Sequence, residues 1–340
     1  MGGACLALRT KAVAATRWAP LLSFCLTVLA AAQPPKQEQE INWLPQEATL
    51  KVSTVVVNVY AIVKDKKGRL IPNLNKEDFE LTEDNAPQPI RYFSRETESR
   101  LSLGILIDTS LSQEQVLAAE QAQARAFIQQ VLRPEDAAFV LRFDIEVELL
   151  QDFTSMQRLL ARAIDSAVIN KNGYRLLPDP SASVSVGGTH LYDALYLASN
   201  ELMKSNVGRK VLIMLTDGED QGSKVTSNGA LEAAEKADVI IYSVALTDDS
   251  FYWAQGLAFK GNPVLKKFSE ETGGRMVLVN QTRNTGAAFR EIADELRAQY
   301  SLGYSPSNKV RDGSFRKIHV RARNRNYRVR VRRGYYAQAN

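Results

Sequence analysis

The sequence predicts an α/β protein, in which a doubly wound, mainly parallel sheet is accompanied by a small β domain. Short apolar runs alternate with helical periodicities over residues 101–300, which is typical of parallel strands connected by helices. Strand patterns without helical periodicity occur on both sides of this region. The chain has 340 residues, 45% apolar and 24% charged, so a disordered chain is excluded and two packed bodies are expected.

The N-terminal segment, residues 1–32, has the composition of a secretory signal peptide. Its apolar run, residues 21–32, ends in three alanines and is shorter than the roughly 20 residues that span a bilayer. Both cysteines of the chain lie in this segment, so the mature chain has no disulfide, as expected of a bacterial exported protein. We predict a secreted or periplasmic protein without a membrane span, and an uncleaved N-terminal anchor is the alternative. The charged residues of the segment are three cations, Arg9, Lys11 and Arg17.

The next part of the chain predicts a linker and then a small β module. Residues 33–49 are rich in proline and glutamine and show no periodicity, as in a linker. From residue 50 onward β-branched residues dominate, and turn signals follow at residues 65–68 and 83–87. Phe79 and Leu81 alternate with polar residues between the two turns. We therefore predict a β module over residues 50–98 that contains no helix.

Residues 99–300 are predicted to form the α/β domain. The predicted strands are residues 103–107, 137–143, 211–215, 239–244 and 276–279, with an edge strand near residues 145–150. Apolar residues also repeat at intervals of three and four, as on the buried face of a helix. This repeat occurs in five stretches, which begin at Ala124, Met156, Leu191, Ala230 and Phe289.

The C-terminal residues 301–340 return to strand patterns, at residues 315–322 and 327–336. Eleven Lys or Arg residues oppose a single acid, Asp312, between residues 309 and 340. Val320 and Ala322 alternate with Arg321 and Arg323, which predicts one apolar and one cationic face. Because an isolated two-stranded ribbon is marginally stable, we expect these strands to pack with the N-terminal module. The cationic face is expected to be solvated, and an envelope polyanion is a possible ligand; nucleic acid is not expected in an exported protein.

Side chains that carry oxygen are concentrated in three segments of the α/β domain. Asp108, Ser110 and Ser112 occupy alternate positions directly after the first predicted strand, and extended backbone points alternate side chains the same way. Asp217 follows the strand at 211–215, and Thr189 follows two glycines before a predicted helix. Open α/β sheets bind ligands beyond the carboxyl ends of their strands, where the strand order reverses. We expect all five side chains to meet there.

The chemistry of these donors points to a hard divalent cation. Two carboxylates and three hydroxyls, without sulfur, suit Mg²⁺ or Mn²⁺ better than Zn²⁺. Mg²⁺ prefers octahedral coordination and usually keeps bound waters, so a position is open to a partner. The two aspartates balance the charge of the ion, which leaves it able to attract an acidic side chain. The alternative is that both serines cap a helix starting near Gln113, and that Asp217 and Gly218 form a turn.

The three segments together resemble the metal-ion-dependent adhesion site of von Willebrand factor type A domains. The matching residues are Asp108-x-Ser110-x-Ser112, Gly-Gly-Thr ending at Thr189, and Leu-Thr-Asp-Gly containing Asp217. The resemblance covers about residues 100–300. It implies a Rossmann-like fold in which Ser110, Ser112 and Thr189 bind a cation by their hydroxyls, while Asp108 and Asp217 act directly or through waters.

The flanking segments resemble a bacterial exported family related to these domains, known mostly from acidobacterial proteins. The matching residues are Leu74, Asp78-Phe79-Glu80 and Glu83-Asp84 on one side, and Asp312-Gly313, Phe315 to Ile318 and Gly334-Tyr335-Tyr336 on the other. The resemblance implies a protein-binding module whose cation is completed by an acidic residue of a partner.

Other function classes have weaker support in the sequence. His190 and His319 are the two histidines, and no Gly-x-Ser-x-Gly motif occurs, so a hydrolase triad is not expected. Metal-assisted hydrolysis is an alternative, with Glu219 or Asp220 as the base. A Walker lysine and a Gly-x-Gly-x-x-Gly motif are absent from the sequence, which disfavours nucleotide binding. We therefore predict a binding protein rather than an enzyme. A structural envelope protein, whose metal only stabilises loops, is the other alternative.

Overall fold

A computed structural model describes residues 55–95, 99–171, 188–246, 261–279 and 285–338. The predicted signal peptide and linker, residues 1–49, lie outside these ranges, as does Gly187 of the Gly-Gly-Thr motif. Within the described ranges, no helix combines the length and the apolar character that crossing a membrane requires.

A six-stranded sheet forms the centre of the α/β domain. Its strand order is β10-β9-β8-β5-β6-β7, and all neighbours are parallel except β7, which runs antiparallel at the edge. The predicted strands and the edge strand are found. The strands are β5 (Leu101–Asp108), β6 (Ala137–Phe143), β7 (Val147–Thr154), β8 (Arg209–Thr216), β9 (Val239–Leu246) and β10 (Met276–Val279).

Helices cover both faces of this sheet, as the predicted fold class requires. They are α1 (Leu117–Val131), α2 (Gln157–Ser166), α3 (Leu191–Leu197), α4 (Ser227–Lys236), α5 (Gly261–Glu271) and α6 (Thr285–Arg297). Helices α1, α2 and α6 pack on one face, and α3, α4 and α5 pack on the other. Successive strand residues enter opposite cores: Val211 and Ile213 face the first group, whereas Leu212 and Met214 face the second. The apolar repeat that begins at Leu191 extends beyond α3, because the next residues, Ala198–Met203, form a π-helix.

Two four-stranded sheets form the small β domain, and both contain strands from the two ends of the described chain. One has the order β13-β1-β11-β4 and the other β14-β12-β2-β3. Their inner faces enclose a core that contains Val59, Leu81, Leu302 and Val320. The predicted fold class is thus confirmed. The strands are β1 (Val57–Lys64), β2 (Phe79–Glu83), β3 (Ala86–Gln88), β4 (Ile90–Arg95), β11 (Tyr300–Tyr304), β12 (Phe315–Ala322), β13 (Arg328–Arg330) and β14 (Gly334–Tyr336).

Three details of the β domain differ from the sequence prediction. A short 3-10 helix, Lys76–Asp78, interrupts the module that was expected to have no helix; the Asp78 carboxylate accepts a hydrogen bond from the Asn75 N–H at 2.8 Å. The second turn is shorter than residues 83–87, because Asp84 and Asn85 both adopt positive φ and allow β3 to start at once. Residues 327–336 form two strands, since β13 pairs with β1 and β14 pairs with β12.

The C-terminal arginines do not form a purely solvated cationic face. Arg330, Arg332 and Arg333 bind carboxylates that lie on or just after helices α6, α4 and α5, and the first two are only partly exposed. Arg321 is exposed and binds Glu80 of the neighbouring strand β2, as expected on the outer face of a sheet. The pairs are Arg321–Glu80, Arg330–Glu295, Arg332–Asp238 and Arg333–Glu271.

Candidate metal centre

The ends of β5 and β8 bring the two candidate aspartates to the same place in the sheet. The two strands are parallel neighbours, so Asp108 at the end of β5 and Asp217 just after β8 lie at one edge. The strand order also reverses here, because the chain continues from β5 to β6 and β7 on one side and later builds β8 to β10 on the other. This is the position at which open α/β sheets form ligand sites.

A continuous set of hydrogen bonds connects four of the five candidate residues. One oxygen of Asp108 accepts a hydrogen bond from the Ser110 N–H at 2.9 Å, and the other accepts the Thr216 hydroxyl at 2.6 Å. The hydroxyl oxygens of Ser110 and Ser112 are 3.1 Å apart. Ser112 in turn donates to Asp217 at 2.6 Å. All of these residues are buried, so their oxygens are held in a fixed arrangement.

Gln113 also belongs to this group, although no sequence pattern indicates it. Its side-chain nitrogen donates to Ser112 Oγ at 3.1 Å and to Asp217 Oδ2 at 2.8 Å. The residue is fully buried, which is uncommon for glutamine. Its position directly after Ser112 is the one sequence feature that could indicate this role. Glutamine is common near the start of a helix, however, so this feature does not single it out.

The two serines do not cap a helix with their side chains, as the alternative prediction proposed. Ser110 precedes a short 3-10 helix, Leu111–Gln113, but its side chain makes no capping hydrogen bond. Helix α1 begins later and has Val116 at its N-cap position. The serine hydroxyls face each other and Asp217 instead, as ligands of a common centre would.

The turn alternative for Asp217 and Gly218 is compatible with a site. Asp217 Oδ1 accepts the Glu219 N–H at 3.1 Å, as in an Asx turn, while Oδ2 faces Ser112. Gly218 has a φ of 88°, a conformation that favours glycine and turns the chain sharply after Asp217. The turn therefore fixes one carboxylate oxygen and directs the other toward the serines.

Thr189 is attached to the Asp217 loop through its backbone. Its N–H donates to the Gln221 carbonyl at 3.0 Å, and the Gln221 N–H donates back at 2.9 Å. A Cβ atom on the preceding Gly188 would lie 2.7 Å from the same carbonyl, so only glycine allows this approach. The structure places Thr189 beside the loop that carries Asp217, but its hydroxyl makes no hydrogen bond to the other four candidates, all of which are described.

Asp144, which follows β6, connects the loops around the centre. Its carboxylate accepts hydrogen bonds from the Thr109 hydroxyl at 2.7 Å, Arg142 Nη1 at 2.8 Å and Asn170 Nδ2 at 3.0 Å. Its backbone carbonyl accepts the His190 N–H at 2.7 Å. Asp144 thus connects Thr109, in the loop of Asp108 and Ser110, to His190, the residue that follows Thr189. In the sequence, Asp144 resembles a turn residue between two predicted strands, so no local pattern indicates this role.

Replacing Asp144 by alanine is expected to weaken divalent cation binding about 10-fold, because outer residues that orient ligands usually contribute this much. Titration calorimetry with Mg²⁺ measures the effect. Glu148→Ala is a matched control, since Glu148 also binds Arg142, at 2.6 Å, but its side chain is half exposed and contacts neither loop. Equal loss of affinity in the two variants would show that the Arg142 ion pair, and not the loop connection, matters.

The electrostatics of the centre favour a bound cation. Burial, followed by the negative charge of Asp217, raises the pKa of Asp108 to about 7. Burial together with the charges of Asp108 and Asp217 raises the pKa of Glu120 well above its ordinary value. Such repulsion is relieved when a positive ion is close. Among the described residues, no three His, Cys, Asp or Glu side chains form a group that could hold a metal ion. The polar groups that meet here are two carboxylates and the hydroxyls of Ser110 and Ser112, a chemistry that fits a hard divalent cation.

The residues considered for hydrolysis have other partners. Asp220 Oδ1 accepts the Ser223 hydroxyl at 2.5 Å and the Tyr192 N–H at 3.1 Å, so it stabilises the start of α3. His190 occupies the N-cap position of the same helix, but its side chain makes no capping hydrogen bond. The contacts of Asp220 therefore give it a structural role at the start of α3.

Comparison with known proteins assigns the family. Two family models, both described as the von Willebrand factor type A domain, match residues 103–219 and 180–292. The chain is a von Willebrand factor type A domain protein. The VWA domain matched by the two models contains the five candidate ligands and stops short of the β domain on both sides. VWA domains are generally non-catalytic interaction modules that often mediate protein binding or adhesion. No curated protein matches the chain.

Several solved structures are similar to the VWA protein. BatB, a conserved hypothetical protein from Bacteroides thetaiotaomicron, is 16% identical with a TM-score of 0.42, over 58% of this chain and 97% of BatB. The vWF domain of the type V pili tip protein Mfa5 from Porphyromonas gingivalis is 13% identical with a TM-score of 0.41, over 58% and 94% of the two chains. Proximal thread matrix protein 1 from the mussel byssus, with a zinc occupied MIDAS motif, is 14% identical with a TM-score of 0.48, over 63% of this chain and 50% of that protein.

Proposed function

We propose that the protein is a metal-dependent protein-binding module of the adhesion type. The observation that carries the proposal is the row of hydrogen-bonded oxygens between the two buried aspartates at neighbouring strand ends. Membership of the VWA family supports the same function. The ligands that we propose for the cation are Asp108, Ser110, Ser112, Thr189 and Asp217.

The proposed cation is Mg²⁺ or Mn²⁺, because the donors are hard oxygens. The bound ion would supply a Lewis-acidic position for an oxygen of the partner. The chain's own residues hold the ligands: Ser112 links the serine loop to Asp217, and Thr216 fixes the second oxygen of Asp108. Because two aspartates balance two positive charges, the proposed partner group is a Glu or Asp side chain, which can coordinate the ion without a large electrostatic penalty.

The proposed location is outside the cytoplasm, in the periplasm or in the secreted fraction. Residues 1–32 support it by their basic, apolar and small-residue order. A second ligand, an envelope polyanion at the C-terminal arginines, stays a prediction. It has less support than the cation, because Arg321, Arg330 and Arg333 already bind carboxylates of this chain.

A crosslinking pull-down from an envelope extract of the source organism tests the function. We expect a partner to be retained in Mg²⁺, released by EDTA, and displaced by a short peptide that contains one glutamate but not by the corresponding glutamine peptide. Asp108→Asn is expected to retain no partner. A partner that binds equally well in EDTA would contradict the proposal.

A structural role of the metal is a second candidate, because burial and the charge of Asp217 raise the pKa of Asp108, and a bound ion would offset both effects. In this case Mg²⁺ would raise the melting temperature, while partner binding would not depend on Mg²⁺. Differential scanning calorimetry, combined with the pull-down in EDTA, distinguishes the two candidates.

A further inference from the structure

Glu120, in the first turn of α1, is a buried carboxylate that the candidate ligand set does not include. Its side chain has no solvent exposure. Neither of its carboxylate oxygens has a hydrogen-bond partner among the described residues. Buried carboxylates are normally paired or hydrogen-bonded, because an isolated one loses its hydration without compensation. The described part of the chain therefore supplies no hydrogen-bond partner for this carboxylate.

The position of Glu120 connects it to the candidate metal centre. Its N–H donates to the Val116 carbonyl, and the Val116 N–H donates to the Gln113 carbonyl, both at 3.0 Å, so successive turns join Glu120 to Gln113. The side-chain nitrogen of Gln113 contacts Ser112 and Asp217, while its side-chain oxygen is buried without a partner among the described residues. Burial raises the pKa of Glu120, and the charges of Asp108 and Asp217 raise it further. Gln113 and Glu120, two buried side chains with unpartnered oxygens, thus follow the serine loop along one run of helical turns.

Glu120 is not placed to be a direct ligand together with both aspartates. The described part of the chain contains no cluster of three acidic, His or Cys side chains close enough to share one ion. Its influence must therefore act over a longer distance, through its charge. Electrostatic interactions are strong in a buried site, because few water molecules are available to screen them.

We propose that Glu120 is a third carboxylate of the metal centre, which strengthens retention of the cation and weakens the attraction of the ion for an acidic partner. The second part rests on the proposed function. Burial and the two aspartates raise the pKa of Glu120 in the cation-free protein, and a bound cation favours its ionised form. Two aspartates neutralise a divalent ion, so an ionised Glu120 leaves the loaded centre with a net negative charge. This excess charge attracts the cation but opposes a carboxylate that approaches from a partner, so one residue affects the two affinities in opposite directions.

The test is Glu120→Gln, which keeps the shape of the side chain and removes its ability to carry a negative charge. At pH 8 we expect the affinity for Mn²⁺, measured by titration calorimetry, to fall about 10-fold or more, within the range found for outer residues of metal sites. At saturating Mn²⁺ we expect acetate to bind several-fold more tightly than it binds to the unsubstituted protein. Acetate binding is measured by the fall in water-proton relaxation as it displaces a water from Mn²⁺. A purely structural role of Glu120 would not tighten acetate binding.

Glu114→Gln is the matched control, because it makes the same chemical change close in sequence, at an exposed residue paired with Lys171. We expect it to leave both affinities within about twofold, as surface charges are screened. Unchanged Mn²⁺ affinity in Glu120→Gln, with loss of Mn²⁺ binding in Asp108→Asn, overturns this inference and leaves the proposed function intact. If the unsubstituted protein, Glu120→Gln and Asp108→Asn all bind Mn²⁺ with the same affinity, both this inference and the proposed function are overturned.

Discussion

Asp108→Asn is expected to abolish divalent cation binding and, at the same time, to stabilise the cation-free protein. Asparagine keeps the shape of the side chain and can hydrogen-bond with the Ser110 N–H and the Thr216 hydroxyl. It removes one of the two charges that balance the ion, so the loss of affinity should exceed the roughly 100-fold seen for outer residues of metal sites. Without the ion, asparagine also removes the repulsion between Asp108 and Asp217.

The gain in stability should depend on pH in a defined way. The pKa of Asp108 is raised from 3.8 to about 7 in the folded protein by burial and by Asp217. The folded state therefore holds a proton that the unfolded chain releases, and the stability that this proton contributes is complete below about pH 4 and lost as the pH rises through 7. Asparagine does not titrate, so the advantage of Asp108→Asn is expected to be on the order of 4 kcal/mol at pH 8 and to vanish near pH 4.

Chemical denaturation in EDTA at pH 4, 6 and 8 measures the stability, and calorimetry with Mg²⁺ at pH 8 measures binding. Asp152→Asn is a matched control, because it makes the same change at an exposed residue toward the far end of β7. We expect no change of either quantity in the control. An Asp108→Asn protein that retains Mg²⁺ affinity would remove Asp108 from the ligand set.

Glu295→Ala is expected to lower the free energy of unfolding by about 3 kcal/mol. Glu295 is 1% exposed and lies between three cations: Lys64 and Arg275 approach at 2.8 and 2.7 Å, and Arg330 binds the other oxygen. Removal of one member of a buried ion cluster costs about 3–5 kcal/mol, because the remaining charges lose their partner. The lower end applies here, since the three cations keep between 17% and 30% exposure.

The pKa of Glu295 provides a second signature of the same cluster. Burial alone would raise this pKa, but the charges of Arg330, Arg275 and Lys64 outweigh burial and hold the pKa below its ordinary value of 4.5. A depressed pKa contributes stability that is present above pH 4.5 and is lost as the pH falls through the folded-state value. The effect of Glu295→Ala should therefore shrink below pH 4.

Glu291→Ala is the control for this prediction. Glu291 lies on the same helix and binds Arg275 at 2.7 Å, but it is 44% exposed. We expect a cost below about 1 kcal/mol, as for other surface ion pairs. Urea denaturation measures the free energy of unfolding of both variants. An equal loss in the two variants would mean that the burial of Glu295 does not strengthen its ion pairs.

The elements of the α/β domain could be predicted because their signals are local. The predicted strands at residues 137–143 and 276–279 coincide with β6 and β10. Alternation and helical periodicity report which face of an element is buried, and neighbouring residues are enough to show it. The prediction of one strand over residues 327–336 was wrong for the same reason, because strand character does not indicate which sheet a residue joins.

The candidate site could be predicted in part. The aspartates and serines follow predicted strands or lie in recognisable motifs, so their meeting at one sheet edge follows from parallel topology. Gln113, Glu120 and Asp144 could not be predicted in the same way, because charged and amide side chains are exposed in most folded proteins. The importance of each depends on burial, which arises from residues distant in the chain.

The sequence by itself determined the strands, the helices and the positions of five oxygen donors, because periodicity and motif spacing are properties of neighbouring residues. Only the tertiary structure decided which carboxylates are buried and what faces them. Ser112 and Asp217, which share a hydrogen bond, are 105 residues apart, and Arg330 and Glu295 belong to different parts of the fold. The free energy of a charge depends on the groups packed around it in space, and chain folding alone brings those groups together.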